Sequence, residues 1–342
     1  MKKNEKIDSE FKAATAANVT SHNYAADNII FGPVLSRRLG YSLGIDLLPH
    51  KTCSLNCVYC ECGATSNLTI NRKIFIPTDF VIKKLEAFLK INTTKIDFIT
   101  FSGSGEPTLA LNIGEIINYL KKQYPQYKIA VLTNGTLLSD INVRQALENS
   151  NLVVPTLNSL NKESFRKINR PHQELSLDKI LTGLTQFKKE FKHEIWLEVF
   201  IIPGINDNAK ELAALKDAFK KIQPDKIQLN SLARPGTESW VSAPNKAKFK
   251  KIADFFQPYT VEIVNKVSYQ KIKNQENKPT DLRLLSERIL ATLQRRPSRK
   301  QDLVSGLNVS EDLLLTVLKK LIAKTKIIEI ENQNEIFYKA NF

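Results

Sequence analysis

The sequence predicts an α/β protein with a smaller α+β unit at its C-terminal end. Between about residues 42 and 230, short apolar segments typical of buried strands alternate with segments that have the apolar spacing of helices. After residue 281 the pattern changes to three helical segments followed by two short strands. Repeated strand–helix units favour a parallel sheet with helices on its outer face.

Six segments of the alternating part have the character of strands: 42–47, 96–101, 128–133, 152–157, 194–202 and 226–230. Six strands are too few for a closed eight-stranded barrel. In parallel α/β folds, ligands bind at the carboxyl ends of the strands. The residues that follow each strand are therefore the candidate site residues.

The composition sets limits on the class of protein. The 342 residues suffice for one large domain and one small domain. The net charge of +15 favours an anionic partner, such as nucleic acid. No apolar run is long enough to span a bilayer, and residues 1–26 lack the apolar region of a secretory signal. We therefore expect no membrane partner, and we expect a cytoplasmic location because free thiolates need reducing surroundings.

All 4 cysteines of the chain fall in one window, Cys53 to Cys62. Neighbours this close make poor disulfides. Three interpretations remain: unrelated buried cysteines, a zinc site completed by Cys62 or His50, or a [4Fe–4S] cluster held by Cys53, Cys57 and Cys60 with one iron left open. Zinc sites usually have two separated ligand pairs, and the sequence has no second pair, so we favour the iron–sulfur cluster.

The C-x3-C-x2-C spacing, with Tyr59 just before the last cysteine, resembles the hallmark of the radical SAM enzymes. The resemblance implies a partial (β/α)6 TIM-like barrel, which agrees with the six strands. It implies that Cys53, Cys57 and Cys60 each bind one iron of a [4Fe–4S] cluster. S-adenosyl-L-methionine would chelate the fourth iron, and Tyr59 would lie near its adenine. An electron donor such as flavodoxin or ferredoxin is implied as a partner.

A glycine-containing loop follows the second strand. Gly103 and Gly105 allow the backbone to approach a ligand closely. The loop resembles the Gly-Gly-Glu segment that binds the amino group of S-adenosyl-L-methionine in this superfamily, although Ser104 separates the two glycines here. The resemblance implies cofactor contacts from Ser102, Gly103, Gly105 and Glu106.

Three further cofactor contacts are expected from later strands. Asn134 follows the third strand in a Thr-Asn-Gly-Thr turn, and Asn158 follows the fourth. Family resemblance implies a cofactor-wall position for Asn134 and a contact with a ribose hydroxyl for Asn158. Glu198 lies inside the fifth strand, and we expect it to face a polar centre because an unpaired buried carboxylate is costly. The sequence does not assign a catalytic residue beyond these contacts.

Basic side chains occur in two loops of the alternating part. Arg37 and Arg38 either meet an anion or form an exposed pair on a loop. Arg166, Arg170 and His172 suit a substrate carboxylate or a solvated loop. The sequence leaves both alternatives open at each place.

The chain divides into four predicted parts: a polar leader (1–28), a radical SAM core (29–242), a lysine-rich extension and linker (243–280) and a winged-helix-like domain (281–342). The order helix, helix, helix, hairpin is typical of a winged helix. The third helix begins with Glu311 and Asp312, which would face phosphates poorly. We therefore favour an interaction or RNA-contacting module over a DNA reader.

Taken together, the motifs between about residues 30 and 240 resemble the branch of Fe–S oxidoreductases similar to the wybutosine-synthesising tRNA enzyme. The resemblance implies reductive cleavage of S-adenosyl-L-methionine to methionine and a 5′-deoxyadenosyl radical, which abstracts hydrogen from an unactivated C–H bond. The positive net charge and the resemblance to this branch favour tRNA as the substrate, with a peptide or small metabolite as the alternative. The third hypothesis is a zinc-binding winged-helix regulator without catalysis, and the strand–helix alternation and the glycine loop argue against it.

Overall fold

The structure is a computed structural model that describes residues 29–264, 281–332 and 335–341. In chain order its strands are β1 (Ile30–Ser36), β2 (Gly40–Ile45), β3 (Thr52–Cys53), β4 (Asn67–Leu68), β5 (Phe98–Phe101), β6 (Lys128–Thr133), β7 (Leu152–Pro155), β8 (Glu194–Phe200), β9 (Lys226–Asn230), β10 (Val261–Ile263), β11 (Ile327–Asn332) and β12 (Glu335–Ala340). Its α-helices are α1 (Thr78–Ile91), α2 (Ile113–Gln123), α3 (Ile141–Leu147), α4 (Lys162–Asn169), α5 (Leu177–Glu190), α6 (Ala209–Ile222), α7 (Lys246–Phe255), α8 (Leu282–Arg295), α9 (Lys300–Leu307) and α10 (Glu311–Ala323).

One eight-stranded sheet organises the larger part of the chain. Its strand order is β1-β2-β5-β6-β7-β8-β9-β10. Only β1 and β2 pair antiparallel, and the remaining neighbours pair parallel. The six predicted strands correspond to β2 and β5 to β9, and the α/β fold with a partial TIM-like barrel is confirmed. The large side chains of Phe101, Phe187 and Phe219 are fully buried in its core.

The sequence did not predict the two outermost strands of this sheet. Strand β1 contains Gly32 and Pro33, which are typical of turns, but an edge strand tolerates proline. Its register with β2 shifts between Phe31 and Val34, where the glycine and proline lie. Strand β10 is only 3 residues long and pairs with β9. Residues 243–264, which we placed in the lysine-rich extension and linker (243–280), therefore contribute α7 and a sheet strand. The rest of that segment (265–280) and the leader 1–28 lie outside the described residues.

The C-terminal unit has its own core and packs against the edge of the sheet. Its helices and hairpin bury Leu285, Leu314 and Leu318 together. Ser298 forms an antiparallel bridge with Tyr338 through backbone bonds of 3.0 and 2.8 Å, so the turn between α8 and α9 joins the hairpin. Helices α8 and α9 pack against β1. The element order is the expected one, and assignment to the winged-helix class stays a prediction. Across the described ranges, no helix has both the length and the apolar character needed to cross a bilayer.

Candidate active site at the cysteine loop

The cysteine loop lies between β2 and α1, at the carboxyl end of the sheet. All four cysteines are free and half-buried. Neighbouring segments fix the middle of the loop, because Val58 donates its N–H to the carbonyl of Ile168 (3.0 Å) and accepts from the N–H of Glu238 (3.0 Å). The loop is therefore fastened to the end of α4 and to the segment that follows β9.

Each of the three motif cysteines has its own hydrogen-bond donor. Asn134 Nδ2 lies 3.6 Å from Cys53 Sγ, Asn169 Nδ2 lies 3.3 Å from Cys57 Sγ, and Lys51 Nζ lies 3.1 Å from Cys60 Sγ. Donors aimed at ligand sulfurs orient thiolates and tune the metal centre that they hold. Of these three donors, the sequence had placed Asn134 on the cofactor wall and Asn169 in a segment (165–172) suited to a substrate. No pattern marks Asn169 or Lys51 as a sulfur donor.

The three thiols differ in how readily they ionise. Burial raises the pKa of Cys53 well above its usual value and raises the pKa of Cys57 to about 12. A hydrogen bond from Cys62, together with the charge of Lys51, lowers the pKa of Cys60 to about 5. Because metal ligands are thiolates, iron binding must release protons from Cys53 and Cys57.

This donor set fits a [4Fe–4S] cluster, in which each thiolate binds a different iron. Within the part of the chain that the structure describes, no three His, Cys, Asp or Glu side chains form a group that could hold a single metal ion. Cys62 lies outside the motif spacing, and its Sγ contacts the carbonyl oxygens of Gly103 (3.4 Å) and Arg295 (2.7 Å) as well as Cys60. Cys53, Cys57 and Cys60 are thus the residues that would hold the cluster.

The glycine loop after β5 packs tightly against the cysteine loop. Gly103 has φ +154°, and a Cβ there would lie 2.3 Å from Cγ of Asp46. A Cβ on Gly105 would lie 2.1 Å from the carbonyl oxygen of Thr52. The two glycines therefore allow their loop to approach other segments of the protein closely. Contacts of Gly103 and Gly105 with the cofactor stay predictions, as does that of Ser102, whose N–H donates to Ile45 O (3.1 Å).

Glu106 ends the glycine loop, and its buried carboxylate is fully engaged. It accepts hydrogen bonds from Thr108 N–H (3.0 Å), Thr108 Oγ1 (2.6 Å), Thr133 Oγ1 (2.6 Å) and Asn134 N–H (2.7 Å). Burial raises its pKa, and these hydrogen bonds oppose the rise. Glu106 therefore positions Asn134, whose amide reaches Cys53. A direct cofactor contact by Glu106 stays a prediction.

Tyr59 and Asn158 are held together on the other side of the loop. The Tyr59 ring stacks on Phe200 with a centroid distance of 3.9 Å and an interplanar angle of 10°. Asn158 donates from Nδ2 to the Tyr59 hydroxyl (2.8 Å) and accepts from the Phe200 N–H (2.8 Å). Burial raises the Tyr59 pKa well above its usual value. Both side chains are held in place by these contacts. Their contacts with adenine and ribose stay predictions.

Glu198 points into a polar centre, as an internal strand carboxylate should. It is 8% exposed and forms an ion pair with Arg38. Thr156 Oγ1 (3.2 Å) and Asn230 Nδ2 (3.1 Å) also donate to it. Arg38 thus meets the carboxylate of Glu198 across the sheet, a pairing over 160 residues that no local pattern could reveal.

The comparisons with known proteins agree with this geometry. A family model described as the Radical SAM superfamily matches residues 47–215, which include the cysteine loop and the glycine loop. Fold and site together define a radical SAM enzyme, a class that works with a [4Fe–4S] cluster and S-adenosyl-L-methionine. Within it the chain belongs to the UPF0026 family: it is 34% identical over 315 residues to UPF0026 protein MJ1312 of Methanocaldococcus jannaschii, which covers 92% of this chain and 96% of that protein.

Two further proteins are similar to this chain, over different fractions of their lengths. A protein of Brachyspira hyodysenteriae named GTPase Obg is 36% identical over 301 residues, and this chain spans only 43% of its length. A radical SAM methyltransferase from Sphaerobacter thermophilus has a similar structure, with a TM-score of 0.52, 13% sequence identity and 65% of each chain covered. This structural similarity shows the fold alone.

Proposed function

We propose that this protein reductively cleaves S-adenosyl-L-methionine and uses the product to abstract hydrogen from an unactivated C–H bond of tRNA. The observation that carries the proposal is the arrangement of Cys53, Cys57 and Cys60 on one loop, each with a separate donor to its sulfur. When bound, the iron–sulfur cluster supplies the electron that cleaves the sulfonium to methionine and a 5′-deoxyadenosyl radical.

The chain's own residues position the reactants and exclude water. Asn134, Asn169 and Lys51 orient the three sulfurs. On the proposed cofactor side, Tyr59 and Asn158 would form one wall. The remaining contacts would come from the loop and strand residues named above: Ser102, Gly103, Gly105, Glu106, Asn134 and Glu198. The glycine loop packs closely against Thr52 and Asp46 beside these contacts.

The proposal includes a substrate and a reductant. The net charge of +15 supports an RNA substrate, since electrostatic attraction to phosphates drives such binding. A reduced flavodoxin or ferredoxin would deliver the electron. A cytoplasmic location suits free thiolates, which need reducing surroundings.

The substrate is tested with protein reconstituted with iron and sulfide without oxygen. We would measure 5′-deoxyadenosine formed from S-adenosyl-L-methionine and dithionite, with and without bulk tRNA that lacks modification. We expect tRNA to increase product formation and to bind with an affinity that falls steeply with salt. Product formation that tRNA leaves unchanged, with no salt-dependent binding, would contradict the tRNA proposal and favour a peptide or small metabolite.

A further inference from the structure

A turn in the segment that follows β9 is fastened to the cysteine loop. Just before the turn, Thr237 donates from Oγ1 to the carbonyl of Cys60 (3.1 Å). At its start, Glu238 donates its N–H to the carbonyl of Val58 (3.0 Å). At its end, Val241 donates its N–H to the carbonyl of Glu238 (3.3 Å), and its side chain belongs to the same buried cluster as Val58. The turn is therefore held at both ends beside the proposed site of chemistry.

Trp240 lies in this turn, and its side chain is 49% exposed. Among the residues that the structure describes, none stacks on the Trp240 ring or accepts a hydrogen bond from its indole N–H. The second of the 2 tryptophans, Trp196 in β8, differs. Its indole N–H donates to Glu194 (2.6 Å), and Lys226 Nζ lies 3.9 Å from its ring centroid. Trp196 is therefore used within the fold, whereas the Trp240 ring is open to a ligand.

The end of α4 meets the turn at the cysteine loop and brings basic side chains to it. Val58 donates its N–H to the carbonyl of Ile168 (3.0 Å), so both segments bind the same loop residue. Arg170, which follows α4, forms an ion pair with Glu238 of the turn (2.5 Å). Arg166, one helical turn earlier, is exposed and forms no ion pair with a carboxylate of the described ranges. The surface next to the turn therefore presents a guanidinium to solvent.

An exposed aromatic ring next to cationic side chains is typical of sites that bind single-stranded nucleic acid. Every base has a face that can stack on an aromatic ring, and basic side chains attract the neighbouring phosphates. A single exposed apolar side chain needs no such explanation, but Trp240 is fixed beside the cysteine loop. The aromatic side chain of a peptide could also stack, but it brings no phosphate to Arg166. RNA therefore fits this surface better than a peptide.

From these observations we infer that Trp240 stacks on an unpaired base of an RNA substrate, with Arg166 beside a neighbouring phosphate. This inference rests on the proposed function and deepens it, because it names the residue that holds a substrate base next to the cysteine loop. Since the turn is fixed before the substrate arrives, little ordering of the protein opposes binding.

The first test uses the fluorescence of the full, reconstituted protein. Trp196→Phe leaves Trp240 as the only tryptophan, and Trp240→Phe leaves Trp196. Bulk tRNA that lacks modification is added to each variant, and the signal is corrected for absorption by the RNA. We expect tRNA to quench the fluorescence of Trp196→Phe and to leave that of Trp240→Phe nearly unchanged. Equal quenching in the two variants would overturn the inference.

The second test measures the affinity of the same proteins for the same tRNA at several salt concentrations. Trp240→Ala should bind about tenfold more weakly with the same salt dependence, because stacking releases no counterions. Trp240→Phe should keep most of the affinity, since a phenyl ring also stacks. Arg166→Gln should instead reduce the slope of log affinity against log salt by about 1. Ile91→Ala, at a 63% exposed side chain that ends α1, is the control and should bind as the wild type does.

Three results of the binding measurement would overturn the inference: wild-type affinity in Trp240→Ala, a loss that Ile91→Ala shares, or an affinity of Trp240→Phe as low as that of Trp240→Ala. If Trp240→Ala does not fold, the fluorescence comparison decides. All of these failures appear in wild-type protein that still binds tRNA. A failure of the proposed function is different, because the wild type would then bind no tRNA or form no 5′-deoxyadenosine.

Discussion

Two carboxylates on opposite sides of the cysteine loop illustrate how differently the two halves of the site are built. Glu106, on the barrel side, is surrounded by four neutral donors, and burial raises its pKa. Glu61 faces the C-terminal unit, where the charges of Arg234 and Arg37 outweigh burial and lower its pKa. The barrel side is satisfied by its own hydrogen bonds. The C-terminal side is held by ion pairs, those of Glu61 with Arg37 and Arg234.

The largest expected effect follows loss of one motif cysteine. Cys57→Ala should abolish stable cluster binding, because two thiolates remain for about four irons. Iron content and the visible absorption of the reconstituted protein measure it. Cys62→Ala is the matched control and should retain both signals: it removes a hydrogen bond to Cys60, but Lys51 still donates to that sulfur and all three motif thiolates remain. A control that loses iron as completely as Cys57→Ala would make Cys62 a ligand.

A smaller effect is expected on the barrel side from Glu106→Gln. The glutamine amide places a donor against groups that already donate. The free energy of unfolding, measured in urea, should therefore fall by about 1–3 kcal/mol. Glu86→Gln removes a carboxylate that accepts from Tyr119 on the surface, and it should cost less than about 0.5 kcal/mol. Equal losses in the two variants would show that the Glu106 hydrogen bonds do not hold the loops.

On the C-terminal side, Arg295→Gln should cost about 1 kcal/mol of unfolding free energy. It breaks the 3.0 Å ion pair between Arg295 Nε and Asp46, a carboxylate that is 3% exposed. Ser104 continues to donate to Asp46 through its N–H (3.0 Å) and hydroxyl (2.9 Å), which limits the loss. Arg283→Gln, at a side chain of α8 that is 88% exposed, serves as the comparison. A loss in Arg295→Gln no larger than that in Arg283→Gln would mean that this ion pair does not fasten the C-terminal unit.

The smallest effect is the pH dependence that Glu106 contributes. Its pKa in the folded protein lies above 4.5, so the folded state binds this proton more tightly than the unfolded state. The stabilisation from that proton is present at low pH. Relative to Glu106→Gln, the wild-type unfolding free energy should therefore fall as the pH rises from about 4.5, and level off above the raised pKa. Urea titrations of cluster-free protein across this range measure the difference, and a difference that increases with pH would contradict the direction of the shift.

Local patterns in the sequence were enough for much of the fold and for the centre of the site. The apolar strands β2 and β5 to β9 each carry their own signal, and the cysteine spacing is contained in eight residues, Cys53 to Cys60. Strands β1 and β10 lack such a signal, because one contains glycine and proline and the other has 3 residues.

Contacts between distant segments could not be predicted in this way. The sulfur donor Asn169 lies 112 residues from Cys57, and Arg234 lies 173 residues from Glu61. Neither periodicity nor spacing relates residues so far apart. Arg37 and Arg38 illustrate the limit: their charge suggested an anion, but only the fold shows that one faces Glu61 and the other Glu198.

The most direct test of the central claim is to reconstitute the protein with iron and sulfide without oxygen, count its metal, and measure 5′-deoxyadenosine after adding dithionite and S-adenosyl-L-methionine. The account predicts about four irons per chain and a cleavage product that is absent in Cys57→Ala. Stoichiometric zinc with no cleavage product under any reductant would contradict it, and would favour a zinc-binding regulator instead.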